Sequence, residues 1–239
     1  KITAILVLVC FTALGLQAQK LINDPDAEAR NTGSFTAIKV SNAFDVYLTQ
    51  ADETGVAVSA TKAEYKNNIK TEVSNGVLKI SFDNDRKWKF WNDNKMKLRV
   101  YISFKELKRL EAGGACDIHF LTPVHAQELS INLSGASDIK DGTFDAQKLD
   151  IKLSGASDMR IKGTATQLSI EASGASDFKS IDFAADYCDV DASGASSIHL
   201  TVNKELSARA SGASDVIYKG DGSIREIKSS GASNISHRS

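Results

Sequence analysis

What this chain has little of narrows it first. Proline occurs twice in 239 residues and cysteine three times. Formal net charge is -1, which leaves neither the broad basic face that nucleic acid calls for nor an acidic tail. One run alone is apolar enough to be weighed as a membrane segment, Ile2 to Leu16. It is shorter than the roughly 20 residues that cross a bilayer. Leu16-Gln17-Ala18 sets a small residue before a candidate cut at Gln19, so residues 1–18 read as a secretory signal peptide. Cys10 is a poor lipid-attachment site, because Val7-Leu8-Val9 puts no small residue before it. The mature chain is expected to be exported to the periplasm, the outer surface or the medium, with no transmembrane segment.

The scarcity of cysteine then becomes informative, because an oxidising compartment invites a disulfide between Cys116 and Cys188. The repeat described next sets them four rungs apart, roughly 19 Å at strand spacing. A disulfide tolerates at most about 7 Å between Cα atoms. Two free thiols are expected, with Cys188 in a column that other repeats fill with Leu.

What the chain has in abundance is Gly, Ser and β-branched residues, which suits short strands and tight turns. Ser134-Gly135-Ala136-Ser137-Asp138 recurs at Ser154 to Asp158, Ser173 to Asp177 and Ser211 to Asp215. Looser copies run from Gly113 to Asp117, Ser193 to Ser197 and Ser230 to Asn234. The repeated glycines are Gly114, Gly135, Gly155, Gly174, Gly194, Gly212 and Gly231, a period near twenty. That period is too short for helical-pair repeats, and Gly-Ala-Ser-Asp is a poor helix former. Positions six, four and two before the Gly are usually apolar, as in Leu129, Ile131 and Leu133, and the position four after it always is, as in Ile139. Period-2 alternation means one buried face per strand. The pattern predicts an all-β, parallel β-helix-like solenoid with rungs of about twenty residues. Each rung turns at Ser-Gly, with the following Ala expected inward and the Ser and Asp outward or bonded to backbone.

Residues 34–239 read as a single solenoid domain, with 34–105 as N-terminal cap and first rungs and 106–239 as the seven repeats. Residues 19–33 read as a flexible leader. Asn42-Ala43-Phe44-Asp45 looks like a degenerate corner, Asn replacing Gly at positive φ. Thr61 and Glu64 suggest a capping box on a short helix. Asn75-Gly76 between alternating runs is a hairpin signal.

The Asp of the motif forms a column of like charges about 4.8 Å apart, each neighbouring pair repelling by roughly 0.9 kcal/mol in water. Calcium-binding β-rolls use a denser nine-residue Gly pattern, so capping of corner amides is the preferred reading, with no metal and no cofactor. His119 and His199 share a column four rungs apart and cannot converge on one ion. Catalysis needs unlike groups at one spot. The repeated Ser and Asp are alike at every rung, so no catalytic residues are assigned. The least scaffold-like stretch is Asp83 to Lys97, where Trp88, Lys89, Phe90 and Trp91 stand among further lysines. These four are the candidate ligand contacts, stacking on sugars or docking a protein; the competing reading has the rings covering the end of the core.

The exported start, the Phe35 to Leu48 opening, the Val77 to Phe82 strand after Asn75-Gly76 and the serial Ser-Gly-Ala-Ser-Asp corners resemble the auto-transporter adhesin head family, the GIN domain, of Bacteroidetes-type bacteria. The resemblance spans Phe35 to Ile235. It implies a right-handed β-helix-like fold in a surface or periplasmic setting and brings no catalytic residues. An autotransporter would also need a membrane barrel of alternating strands, which the sequence to Ser239 does not contain. The expectation is therefore a free or complex-bound, non-enzymatic module that binds a polysaccharide or surface protein. The alternatives are a carbohydrate-active β-helix enzyme and a structural, self-assembling solenoid. The final rung, with no segment to cover it, is expected to pair with a second copy through residues near 224–239.

Overall fold

The computed structural model describes residues 24–83 and 96–238. They form a β-solenoid of about six turns. The first strands are β1 (Glu28–Arg30), β2 (Ala37–Asn42), β3 (Asp45–Gln50) and β4 (Gly55–Ala60). A short helix α1 (Ala63–Asn67) follows, then β5 (Ile69–Ser74), β6 (Val77–Phe82), β7 (Leu98–Phe104), β8 (Arg109–Gly114) and β9 (Asp117–Phe120). Beyond them the strands stack in parallel, rung on rung. Leu129, Ile131 and Leu133 lie over Leu110 and Ala112 below and under Leu149, Ile151 and Leu153 above. All are buried, as are Ile118, Ile139, Met159, Phe178, Ile198 and Val216 on the opposite wall. The two walls compensate in volume. Where the column before the corner shrinks from Leu153 to Ala172, the column after it swells from Met159 to Phe178.

Stack order is not chain order. β6 pairs with β2 on one side while β8 pairs with it on the other; β7 and β9 flank β3 in the same way. The rung made first in sequence is therefore sandwiched between two made later. Ten strands stack along one wall, from β5 to Ser223–Ser229. At about 4.8 Å each, that wall is roughly 43 Å long.

The corner explains its own sequence. Each corner Gly has positive φ, between 75° and 102°. The Ala after it donates its N–H to the corner carbonyl of the rung below, as in Ala156 to Gly135 at 2.7 Å. A Cβ built on Gly155 would lie 2.4 Å from that Gly135 oxygen. Gly is thus required twice, by its dihedral and by the rung beneath it. Asn42, at φ 80°, is the exception that fits. β6 below it runs only to Phe82, and the Asn42 Oδ1 accepts the Phe82 N–H at 3.0 Å.

The expected inward Ala is corrected. Ala136, Ala156, Ala175, Ala195 and Ala213 are exposed, and the Ser after each is buried. The positive-φ corner breaks the alternation, so the in–out phase resumes one residue late. The buried Ser answers a polar need. The ladder bonds the N–H before and after it, while its own points inward. At two corners the next rung's hydroxyl meets that donor: Ser176 Oγ accepts from Ser157 N at 3.4 Å, and Ser137 Oγ from Cys116 N at 3.3 Å. The hydroxyl hydrogens go to carbonyls, as in Ser157 to Ser154 O at 3.0 Å. An inward donor is cheaper to satisfy than to strand.

Two further expectations change. Part of the leader thought flexible is docked: β1 pairs antiparallel with β4. A three-residue strand gives no periodicity to read. α1 starts at Ala63 with Lys62 at the cap and no side-chain cap bond, while Thr61 Oγ1 accepts the Lys97 N–H at 3.0 Å. The Asn75-Gly76 turn joins β5 to β6 as expected, both residues at positive φ. Cys188 sits in register between Leu168 and Leu206, and both Cys116 and Cys188 are free and buried. Among the described residues no helix is long and apolar enough to cross a membrane.

Replacing Gly155 by Ala is expected to cost about 3 kcal/mol or more, through backbone strain and the clash with the rung below. Denaturant unfolding measures it. Retention of full stability would refute the double role of the corner glycine.

Candidate functional site

Three outer surfaces carry residue types that bind ligands elsewhere: the Asp column, the grooves of the open walls and the N-terminal aromatic stack. The Asp column stands in register as Asp45, Asp117, Asp138, Asp158, Asp177, Ser197, Asp215 and Asn234. Three of its carboxylates are engaged. Lys140 Nζ is 2.8 Å from Asp117 and 3.6 Å from Asp138, and Lys179 pairs with Asp177. Asp138 Oδ1 also accepts the Asp158 N–H at 3.1 Å, which is the corner-capping role. Asp158 keeps the strain of the column: partial burial, then the charges of Asp177 and Asp138, push its carboxyl up. Among the described residues no three His, Cys, Asp or Glu side chains gather as metal ligands.

The seven corner glycines lie one above another, and they serve the scaffold. Trp88, Lys89, Phe90 and Trp91 lie outside the described residues. Their place in the chain is defined by its flanks, since residues 83–97 join β6 to β7. His119 and His199 are held apart, as expected; His119 lies in register with Tyr47 and His199 with Lys179.

Sequence reasoning missed the stack formed by Tyr101, Tyr47 and His119. Adjacent ring centroids are 5.1 Å apart, with interplanar angles of 16° and 18°. It exists because β3 lies between β7 and β9, a relation that chain order hides. It also holds the leader. The Tyr101 hydroxyl donates to Asp24 Oδ2 at 2.7 Å, and Arg99 Nη1 lies 3.5 Å from the same oxygen. Burial alone would raise the Asp24 carboxyl, but the hydrogen bonds and Arg99 outweigh it and hold it below the usual range. Burial and the same bond push the Tyr101 phenol up.

Two shallow grooves indent the walls. One, of about 400 Å³, is lined by Gln50, Lys105, His125, Glu128 and Asp145 among others. Its His125 Nδ1 is 3.4 Å from Asp145, with both side chains well exposed. Gln50 fastens its floor, donating to the Lys105 and His125 carbonyls and accepting the His125 N–H at 2.7 Å. The other, of about 330 Å³, holds Lys148, Asp150, Tyr187, Asp189, Glu205 and Arg225. There Arg225 bridges Asp189 at 3.6 Å and Glu205 at 3.4 Å. Neither buried thiol is poised to react. Burial raises Cys116, and burial with Asp186 pushes Cys188 up to about 12.

Two consequences are measurable. Because the folded Asp24 value is depressed, its stabilisation is complete above the ordinary carboxylate value of about 4 and fades as pH falls through the lowered value. Asp24→Asn should cost about 1 kcal/mol at pH 7 and should flatten the stability profile below about pH 4. An unchanged melting curve at both pH values would contradict this. Asp158 is shifted the other way, so its ionised form opposes folding. Asp158→Asn should leave stability equal or raise it by about 0.5 kcal/mol at pH 7, the amide keeping the polar shape. A loss above about 1 kcal/mol would show that the charge is structural.

The family model "Putative auto-transporter adhesin, head GIN domain" matches residues 34–222. Among solved structures, a "putative adhesin" from Bacteroides fragilis is similar, with 21% identity, a TM-score of 0.79, and coverage of 89% of this chain and 96% of that one. Another "putative adhesin", from Parabacteroides distasonis, has 18% identity and a TM-score of 0.69, covering 88% of this chain and 96% of its own. A "putative lipid binding protein" from the same species has 20% identity and a TM-score of 0.66 over 88% and 96%. These structures share the fold. No curated protein matches the sequence. The family model covers most of the chain, and its span holds the first corner at Asn42 and six of the seven Gly corners: the chain belongs to the auto-transporter adhesin head family, the GIN domain.

Proposed function

We propose that this chain is an exported, non-catalytic binding module that acts at the cell surface or in the periplasm, adhesin-like as its family description has it. Its ligand would be a polysaccharide or a surface protein, and its contacts Trp88, Lys89, Phe90 and Trp91. One observation carries the reading. At every described corner from Asn42 to Asn234, two to four residues separate the strands; only between β6 and β7 does the chain insert residues 83–97. Corners fixed by rung-to-rung bonding stay short, and this is the one that takes a long insertion. That place holds both tryptophans of the protein.

The enzyme alternative would use carboxylates and a basic residue converging in a cleft. Asp189, Glu205 and Arg225 come nearest to this, and they are paired with one another on an open wall. That supports binding over catalysis. The lipid-binding name of one similar structure fits this chain less well. Its interior is filled by side chains, and its grooves are lined largely by polar residues. Export is supported by the signal-like residues 1–18 and the family. A second copy of the chain is a further partner, developed below.

The test is a glycan and surface-polymer screen of the wild type beside Trp88→Ala/Trp91→Ala. We expect at least a tenfold loss of binding at unchanged melting temperature, as for aromatic anchors in other interfaces. Equal binding would remove the loop from the reading.

A further inference from the structure

The two ends of the solenoid are finished differently. At the N-terminal end α1 packs on β4 and β5 and places Tyr65 in the core. At the other end, none of the described residues covers the last rung. Ile224 and Ile227 stand in the inward columns of Leu206 and Ala208, yet each is 43% exposed. Their strand, Ser223–Ser229, pairs with the rung beneath it, and among the described residues its other edge has no strand partner.

That strand carries one irregularity. Leu206 faces Ile224 and Ser207 faces Glu226, so Arg225 is an extra residue. Arg225 and Glu226 both serve the outer face: Arg225 reaches Asp189 and Glu205, and Glu226 accepts from Arg209 at 2.6 Å. A bulge of this kind throws a straight partner strand out of phase, so that on one side of it apolar residues face outward. Such devices keep sheet edges from pairing at random. A partner with the same extra residue at the two-fold-related place restores the phase on both sides, and a second copy run antiparallel supplies it.

One register satisfies every position. Ile224 then faces Ile227 of the second copy on the inner side, and Arg225 faces Glu226 on the outer side. Ser223 faces Lys228, also outward, and Gly222 faces Ser229, also inward. Apolar meets apolar, and positive meets negative, twice over by symmetry. We infer that this chain forms a two-fold, end-to-end dimer through antiparallel pairing of Ser223–Ser229. The contact is isologous, so it closes at two subunits. The inference goes beyond the binding reading and does not depend on it.

The test uses the purified chain and needs no ligand. Sedimentation equilibrium should show a dimer. Ile224→Lys/Ile227→Lys should weaken it by about 100-fold with little change in melting, since both sites are exposed in the monomer. To read the register, Ile224→Cys and Ile227→Cys are made separately and oxidised mildly. An equimolar mixture should give a covalent dimer, whereas neither variant alone should. The native thiols, Cys116 and Cys188, are buried and stay out of the reaction. A strictly monomeric wild type at high concentration overturns the dimer. A dimer that survives the lysines, or that cross-links in a single variant and not in the mixture, overturns this interface.

Discussion

The carbonyl of each corner glycine below the last rung accepts the N–H of the alanine one rung above at 2.7–2.8 Å, and the rest of the structure depends on that contact. It sets the rungs at strand spacing where the chain turns, the point at which a solenoid would most easily splay. It excludes any Cβ at the corner. It also explains why the first corner differs. Asn42 needs the same dihedral but meets a strand end below it, so a side chain is admitted there and is used as an acceptor. From this contact follow the buried serine, which answers the donor the turn has swung inward, and the exposed alanine, which need only be small.

Much of this was legible in the sequence because stacking makes repetition visible. Columns of Leu, Ile and Val at fixed offsets from Gly named the walls of the core, and Asn at residue 42 declared itself by occupying a Gly position. The in–out assignment of Ala and Ser was not legible. Period-2 alternation does not carry through the corner, because a positive-φ residue does not conserve phase. The Tyr101–Tyr47–His119 stack was hidden for a different reason. Those residues come together only because one rung is inserted between two later ones, and no periodicity encodes an order that departs from the chain. The docked Asp24 could not be read either, since a single carboxylate held by a tyrosine and an arginine far away in sequence leaves no local pattern.

The outer walls show how a long, flat sheet remains a defined surface. Cross-rung ion pairs such as Lys152 with Glu171 and Lys39 with Glu111 cover the strands with alternating charge. Each exposed pair contributes little to stability. Together they leave few large apolar side chains in solvent. Among the described residues these are Tyr187, Ile224 and Ile227, two of which lie on the last rung. The Asp column follows the same logic, with lysines spaced along it to offset the repulsion that stacking imposes.

The sandwiched first rung has a consequence for how the molecule comes into being. A chain that emerges from its N-terminus presents β2 and β3 first, then must lay β6 and β7 against one side of them and β8 and β9 against the other. Growth is therefore bidirectional for one rung and unidirectional afterwards, each later repeat adding to a surface already complete. The molecule is built around its third layer from the N-terminal end rather than upward from its base. Losing a late repeat would shorten the rod, whereas losing β2 and β3 would leave its two halves with no layer to join them.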